Sequence, residues 1–143
     1  MILDTNALSA YLDKAPEAVE VVSGARELAI PVIVAGEFAF GIAQSCHREE
    51  YERSLERMLD RSTVLDIGIE TARHYAAIRL ELKAAGNPIP ANDVWIAALS
   101  RQYSMPVMSR DSHFDFVGGL RRITWRRPRP ARHRSSNIVH RTP

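Results

Sequence analysis

Five short apolar or β-branched runs, each separated from the next by a longer stretch, constrain this chain most. They are Met1–Asp4, the segment opening at Ala29, Thr63–Ile67, Pro106–Ser109 and Arg122–Trp125. Between them lie stretches whose apolar residues recur at helical spacing. Ala7, Leu8, Tyr11 and Leu12 mark a first helix, and Pro16 and Glu17 open a second that is expected to run to about Leu28. Ala29–Ala35 reads as a strand that runs into a helix ending near Ser45. Further helices are predicted over 47–62, 69–85 (closed by Gly86, Asn87 and Pro88) and 91–103. Short strands alternating with helices specify an α/β layer architecture around a short, mainly parallel sheet. In such a sheet, ligand sites form beyond the carboxyl ends of the strands.

Asp4 and Asp111 stand at two such ends. Asp4 follows Ile2 and Leu3, where it can cap a helix or hold a ligand. Thr5 and Asn6 beside it offer a hydroxyl and an amide for capping or for orienting a metal-bound water or phosphate. Asp111 lies in the turn Arg110-Asp-Ser-His-Phe, where Asp is an ordinary turn residue if taken alone. His113 reads as a residue of the same turn, with contact to a substrate as the lesser alternative.

Glu37 is harder to account for. It sits in Val32-Ile-Val-Ala-Gly-Glu-Phe-Ala-Phe-Gly-Ile, a helix that is apolar all round and therefore expected to be buried. A buried carboxylate needs a cationic partner, either an arginine or a bound cation. Asp93 opens another apolar helix after Pro90-Ala-Asn, so that Asn92 or Asp93 is the expected cap.

Four carboxylates brought together repel one another unless a cation lies among them. An all-oxygen set suits Mg²⁺ or Mn²⁺. The five histidines form no HExxH pair, and the single cysteine, Cys46, cannot build a thiolate zinc site or an internal disulfide. The sequence shows no internal repeat and no glycine-rich phosphate loop.

In order and context, Ile2-Leu-Asp-Thr-Asn-Ala-Leu, Gly36-Glu-Phe-Ala-Phe-Gly, Asn92-Asp-Val-Trp-Ile-Ala-Ala and Ser109-Arg-Asp-Ser-His-Phe resemble the motifs of PIN-domain ribonucleases. Within that family, size and layout are most similar to VapC-type toxins of bacterial toxin–antitoxin pairs. The resemblance covers about residues 1–125. It implies a PIN-like three-layer α/β/α fold and a Mg²⁺- or Mn²⁺-dependent endoribonuclease. It also implies a homodimer and a cognate antitoxin that covers the site. By motif position, Asp4, Glu37, Asp93 and Asp111 are the catalytic and metal-ligating acids, with Asn6 and Ser109 as polar support. Ser109 stands where the family more often has threonine, and the hydroxyl is kept. Asp115 is left outside the core set.

One alternative is a non-catalytic PIN-like module that binds RNA or a protein partner. Another, a phosphatase with its nucleophile at the first strand end, expects a second Asp where Asn6 stands and a lysine near the later acids, whereas Lys83 is the last lysine.

Charge is unevenly placed. Residues 126–143 carry six of the 19 basic residues and no acid, which leaves 13 basic against 17 acidic residues, a net of −4, in 1–125. RNA affinity in the main domain must therefore come from local groups. Arg110, next to Asp111, is the first candidate for a substrate contact; Arg101, Arg121 and Arg122 are plausible backbone contacts. The division expected is a nuclease domain over 1–125 and a basic, flexible tail over 126–143. No apolar run approaches a membrane span, and the start lacks the pattern of a secretory signal, so the chain is expected to be cytoplasmic.

Overall fold

The computed structural model describes residues 1–126; the expected basic tail, beyond Arg126, lies outside the described residues. In chain order the elements are β1 (Ile2–Leu3), α1 (Thr5–Leu12), α2 (Pro16–Ser23), β2 (Ala29–Pro31) and α3 (Val32–Ile42). There follow α4 (Arg48–Asp60), β3 (Thr63–Leu65), α5 (Ile69–Ala85), α6 (Ala91–Tyr103), β4 (Val107–Met108), a 3₁₀ turn (Ser112–Phe116) and β5 (Arg122–Ile123). The five strands form one sheet in the order β3-β2-β1-β4-β5, and every pairing is parallel. Ile2 sits opposite both Ala29 and Val107, at the centre.

This order fixes the layers. From β1 the chain steps outward to β2 and β3, then returns across the sheet to β4 and β5. Right-handed crossovers place α1–α4 on one face and α5 and α6 on the other. Direction reverses between β1 and β4, so the gap above their carboxyl ends is the topological switch point. Asp4 follows β1 there, and Ser109 to Asp111 follow β4.

The sheet is apolar on both faces because both are covered. Ile2, Leu3, Ile30, Val107 and Met108 are fully buried, with Leu8 and Val34 from one helical layer and Ile78, Ile96 and Leu99 from the other. Each such side chain contributes about 1.5–3 kcal/mol by leaving water. α5 ends as expected at Gly86, whose φ of 71° is left-handed and whose amide closes onto the Lys83 carbonyl.

Three expectations are corrected. α2 stops at Ser23, not near Leu28, because Gly24 is its C-cap and a poor continuation. β2 is only three residues long: Pro31 has no amide for the ladder, and Val32 already begins α3. α3 is not buried all round. Val34, Phe38 and Ile42 face the core, while Val32 is 42% and Phe40 85% exposed. Its partners, α1 and α4, cover one side only.

Candidate metal centre

Asp4 performs both roles that its position allows. Its amide still pairs with the Met108 carbonyl (3.2 Å), extending the sheet by one residue. Its Oδ1 then accepts the Ala7 amide at 2.8 Å as the N-cap of α1. The cap occupies one oxygen; the other, Oδ2, accepts the hydroxyl of Ser109. With 4% exposure this is the most buried carboxylate among the described residues. Burial pushes its pKa up to about 6, the charges of Asp93 and Asp111 add to the rise, and the Ser109 and Ala7 donors oppose it.

Ser109 is the pivot between the strands. Fully buried, it donates to Asp4 and accepts the Asp111 amide at 2.8 Å. Asp111 in turn caps the 3₁₀ turn by accepting the His113 amide at 3.0 Å. Asn6, exposed beside Asp4, accepts the Arg110 amide at 3.3 Å and so tethers the same loop. The Arg110 guanidinium lies 4.5 Å over the Trp125 ring.

Asp93 is the third residue of α6, where the helix dipole favours a carboxylate. Neither it nor Asn92 caps that helix. Pro90 occupies the cap without a side-chain hydrogen bond, since its fixed φ of −56° suits the helix entry. Asn92 is thereby released to reach across the sheet top and donate to Glu37 Oε1, while Thr5 donates to Glu37 Oε2. Glu37 is half-buried and is held by these neutral donors, not by an arginine. Asp93 is also half-buried; burial raises its pKa first, Asp111 and Glu37 add to the rise, and His113 opposes it.

All four acids chosen from sequence therefore face one switch point, but not equally closely. The group tight enough to share one cation, with ligand atoms within 4.8 Å of one another, is Asp93, Asp111 and His113. Asp4 joins it through Ser109 and Glu37 through Asn92. From sequence, His113 reads as a turn residue first and a substrate contact second, and not as a metal ligand. The signal that could have found it is its place two residues after Asp111, the spacing of a capped turn. Asp115 is engaged elsewhere: Arg122 forks onto it at 2.8 Å through both Nε and Nη2. Arg122 also donates to the Ser109 carbonyl at 3.2 Å, and Arg101 forks onto Glu81, so neither guanidinium is an unengaged phosphate contact.

Burial, with neighbouring negative charge adding to it, raises the pKa of Asp4 and of Asp93; a hard divalent ion relieves both, and the oxygen-rich donor set fits one. The hydroxyl of Ser109 has a measurable share in holding it together. Ser109→Ala leaves the Asp4 Oδ2 without its donor and is expected to cost about 1–2 kcal/mol at pH 7. The cost shrinks at pH 5, where Asp4 takes up a proton instead. Urea unfolding of both proteins at the two pH values checks this; an equal loss at both would show that the hydroxyl matters for packing alone.

The chain matches the PIN domain family over residues 1–120. Among curated proteins it is 30% identical over 129 residues to ribonuclease VapC2 of Haemophilus influenzae, with 87% of this chain and 96% of that protein covered. It is 28% identical over 127 residues to the tRNA(fMet)-specific endonuclease VapC of Shigella flexneri, with the same shares covered. Among solved structures, DNA-bound VapBC from Salmonella typhimurium superposes with a TM-score of 0.77 at 26% identity, over 87% of this chain and 96% of that one. VapBC-1 from nontypeable Haemophilus influenzae gives 0.76 at 26%, with the same shares. A family match over nearly the whole described chain, an all-parallel five-stranded sheet between two helical layers, and acids gathered at its switch point agree: this chain belongs to the PIN-domain family.

Proposed function

We propose that the protein is a divalent-metal-dependent endoribonuclease that hydrolyses phosphodiester bonds in RNA as the toxin of a bacterial toxin–antitoxin pair. The observation that carries this reading is the convergence of Asp4, Asp93, Asp111 and, through Asn92, Glu37 at one switch point. Relatives named as ribonucleases over nearly their full length give the chemistry, and neighbours solved as VapBC assemblies give the biological setting.

Asp4, Asp93, Glu37 and Asp111 would hold Mg²⁺ or Mn²⁺. When bound, the ion supplies charge neutralisation and Lewis acidity at a phosphodiester oxygen. The rest falls to the chain's own residues. Ser109 and the Ala7 amide orient Asp4 from opposite oxygens, so that its carboxylate is fixed before substrate arrives. Thr5 and Asn92 hold Glu37 in the same way, placing a carboxylate that can take the proton of an attacking water. Arg110, exposed beside Asp111, presents positive charge to a backbone phosphate. Single-stranded or looped RNA is the substrate this reading expects, because its backbone and bases are accessible.

Residues 1–125 form the nuclease unit in this reading, and the basic segment 126–143 is an appendage to it. The partners are a cognate antitoxin and a second copy of the chain. No helix among the described residues is long and apolar enough to cross a membrane, in keeping with a cytoplasmic site of action. Purified protein incubated with a mixed cellular RNA pool is expected to give discrete fragments with Mg²⁺ or Mn²⁺ and none with EDTA. Folded, metal-binding protein that leaves every RNA intact would instead support a binding module.

A further inference from the structure

His113 belongs to the tight group of ligand atoms, whereas two of the four expected acids do not. Its Nδ1 lies 2.9 Å from Asp111 Oδ1 and 3.2 Å from Asp93 Oδ2. Adjacent ligands of an octahedral divalent ion with bonds of about 2.1 Å are about 3 Å apart. These separations are therefore those of neighbouring donors around one ion, although a simple hydrogen bond from Nδ1–H would give similar values.

The turn that carries the ring is also held by backbone structure. Asp111 Oδ1 accepts the His113 amide, and the next residue, Phe114, is fully buried, so the turn is pinned at both ends. Asp4 and Glu37, by contrast, each have both carboxylate oxygens already accepting hydrogen bonds. The donors with the shortest reach to a common ion are thus two carboxylates and one imidazole.

We propose that His113 Nδ1 is a direct ligand of the ion held by Asp93 and Asp111, giving the centre a mixed imidazole–carboxylate face that favours Mn²⁺ over Mg²⁺. Mg²⁺ prefers oxygen and water, while first-row transition ions accept imidazole readily. For this the ring would have to be the Nε2–H tautomer, which leaves the Nδ1 lone pair free to coordinate. Asp4 and Glu37 would complete the centre directly or through water. This inference rests on the metal-dependent reading above and deepens it by naming the ion class.

The test uses the full chain, titrated separately with MnCl₂ and MgCl₂ by calorimetry, beside His113→Ala and His113→Asn. Spin-echo modulation spectroscopy of the Mn²⁺-loaded proteins accompanies it. The wild type is expected to show ¹⁴N coupling from an imidazole that disappears in both variants. Mn²⁺ affinity is expected to fall by about tenfold or more, with Mg²⁺ affinity changed by less than about threefold. The His113→Asn variant keeps a polar group of similar reach, so the result survives if the alanine variant folds poorly. Bound Mn²⁺ without ¹⁴N coupling, or with coupling that persists in both variants, overturns the ligand assignment and leaves the metal-dependent reading standing. Equal loss of both ions overturns the selectivity. A wild type that binds neither ion overturns both this inference and the reading beneath it.

Discussion

Asp93→Asn is expected to lower RNA cleavage by roughly 10²–10³-fold while leaving the protein folded. The substitution preserves shape and removes one charge from the group where ligand atoms crowd most closely. Two opposing effects on stability arise. The helix dipole loses its carboxylate in the first turn of α6, a loss of about 0.3–1 kcal/mol. Repulsion from Asp111 and Glu37 disappears at the same time, as does the cost that burial imposes on the charged carboxylate. The melting temperature should therefore move little, and the activity loss cannot be attributed to unfolding. Single-turnover kcat/KM on an oligoribonucleotide, with circular dichroism and a metal titration alongside, checks this. Undiminished cleavage by the folded variant would remove Asp93 from the machinery and, with it, the main support for the site.

What makes the acids legible is their setting, not their identity. Asp4 and Asp111 follow apolar runs too short to be anything but strands in this pattern, and parallel strands deliver their carboxyl ends to one edge. Asp93 stands at a helix start, a position that a crossover onto the central strands must bring to that same edge. Glu37 draws notice in the sequence for a reason that the fold does not uphold. Its helix is exposed on one side, so the carboxylate is half-buried and needs no cation to be tolerated. Hydrophobic residues such as Phe40 record an apolar face but not whether the same chain covers it. A ligand role for His113 escapes a sequence reading that sees only a turn residue or a substrate contact, because periodicity is silent inside a five-residue 3₁₀ turn and the capping bond from its amide to Asp111 appears only in the fold. The Asp115–Arg122 fork is equally invisible, since it joins a turn to an edge strand across a sheet whose register no local pattern reports. Local propensity misplaces the ends of α2 and β2 by a few residues without moving any site residue.

Asp4→Asn is expected to stabilise the metal-free protein at pH 7 and to inactivate it. The folded-state pKa of Asp4 is about 6, against an ordinary value of 3.8, because the carboxylate is buried beside Asp93 and Asp111. Between these values the folded state holds its proton more firmly than the unfolded chain does. Stability from this group is fully present below about pH 4 and is lost as pH rises through 6. The charged form therefore costs the metal-free fold about 2–3 kcal/mol at neutral pH, a cost that a bound cation offsets and that asparagine never incurs. The amide can still accept the Ala7 N–H through its oxygen and donate to Ser109 through its nitrogen, so the cap and the pivot both persist. In EDTA, the variant should melt roughly 5–10 °C above the wild type at pH 7, with the gap closing toward pH 4. Mg²⁺ or Mn²⁺ should narrow the gap at pH 7 by raising the wild type alone. Taking the difference between the two proteins removes the contribution of every other titrating group that they share, apart from its coupling to Asp4. A variant less stable than the wild type at every pH would mean that the hydrogen bonds to Asp4 outweigh its burial. The site would then be built for a fixed carboxylate and not for one awaiting a cation.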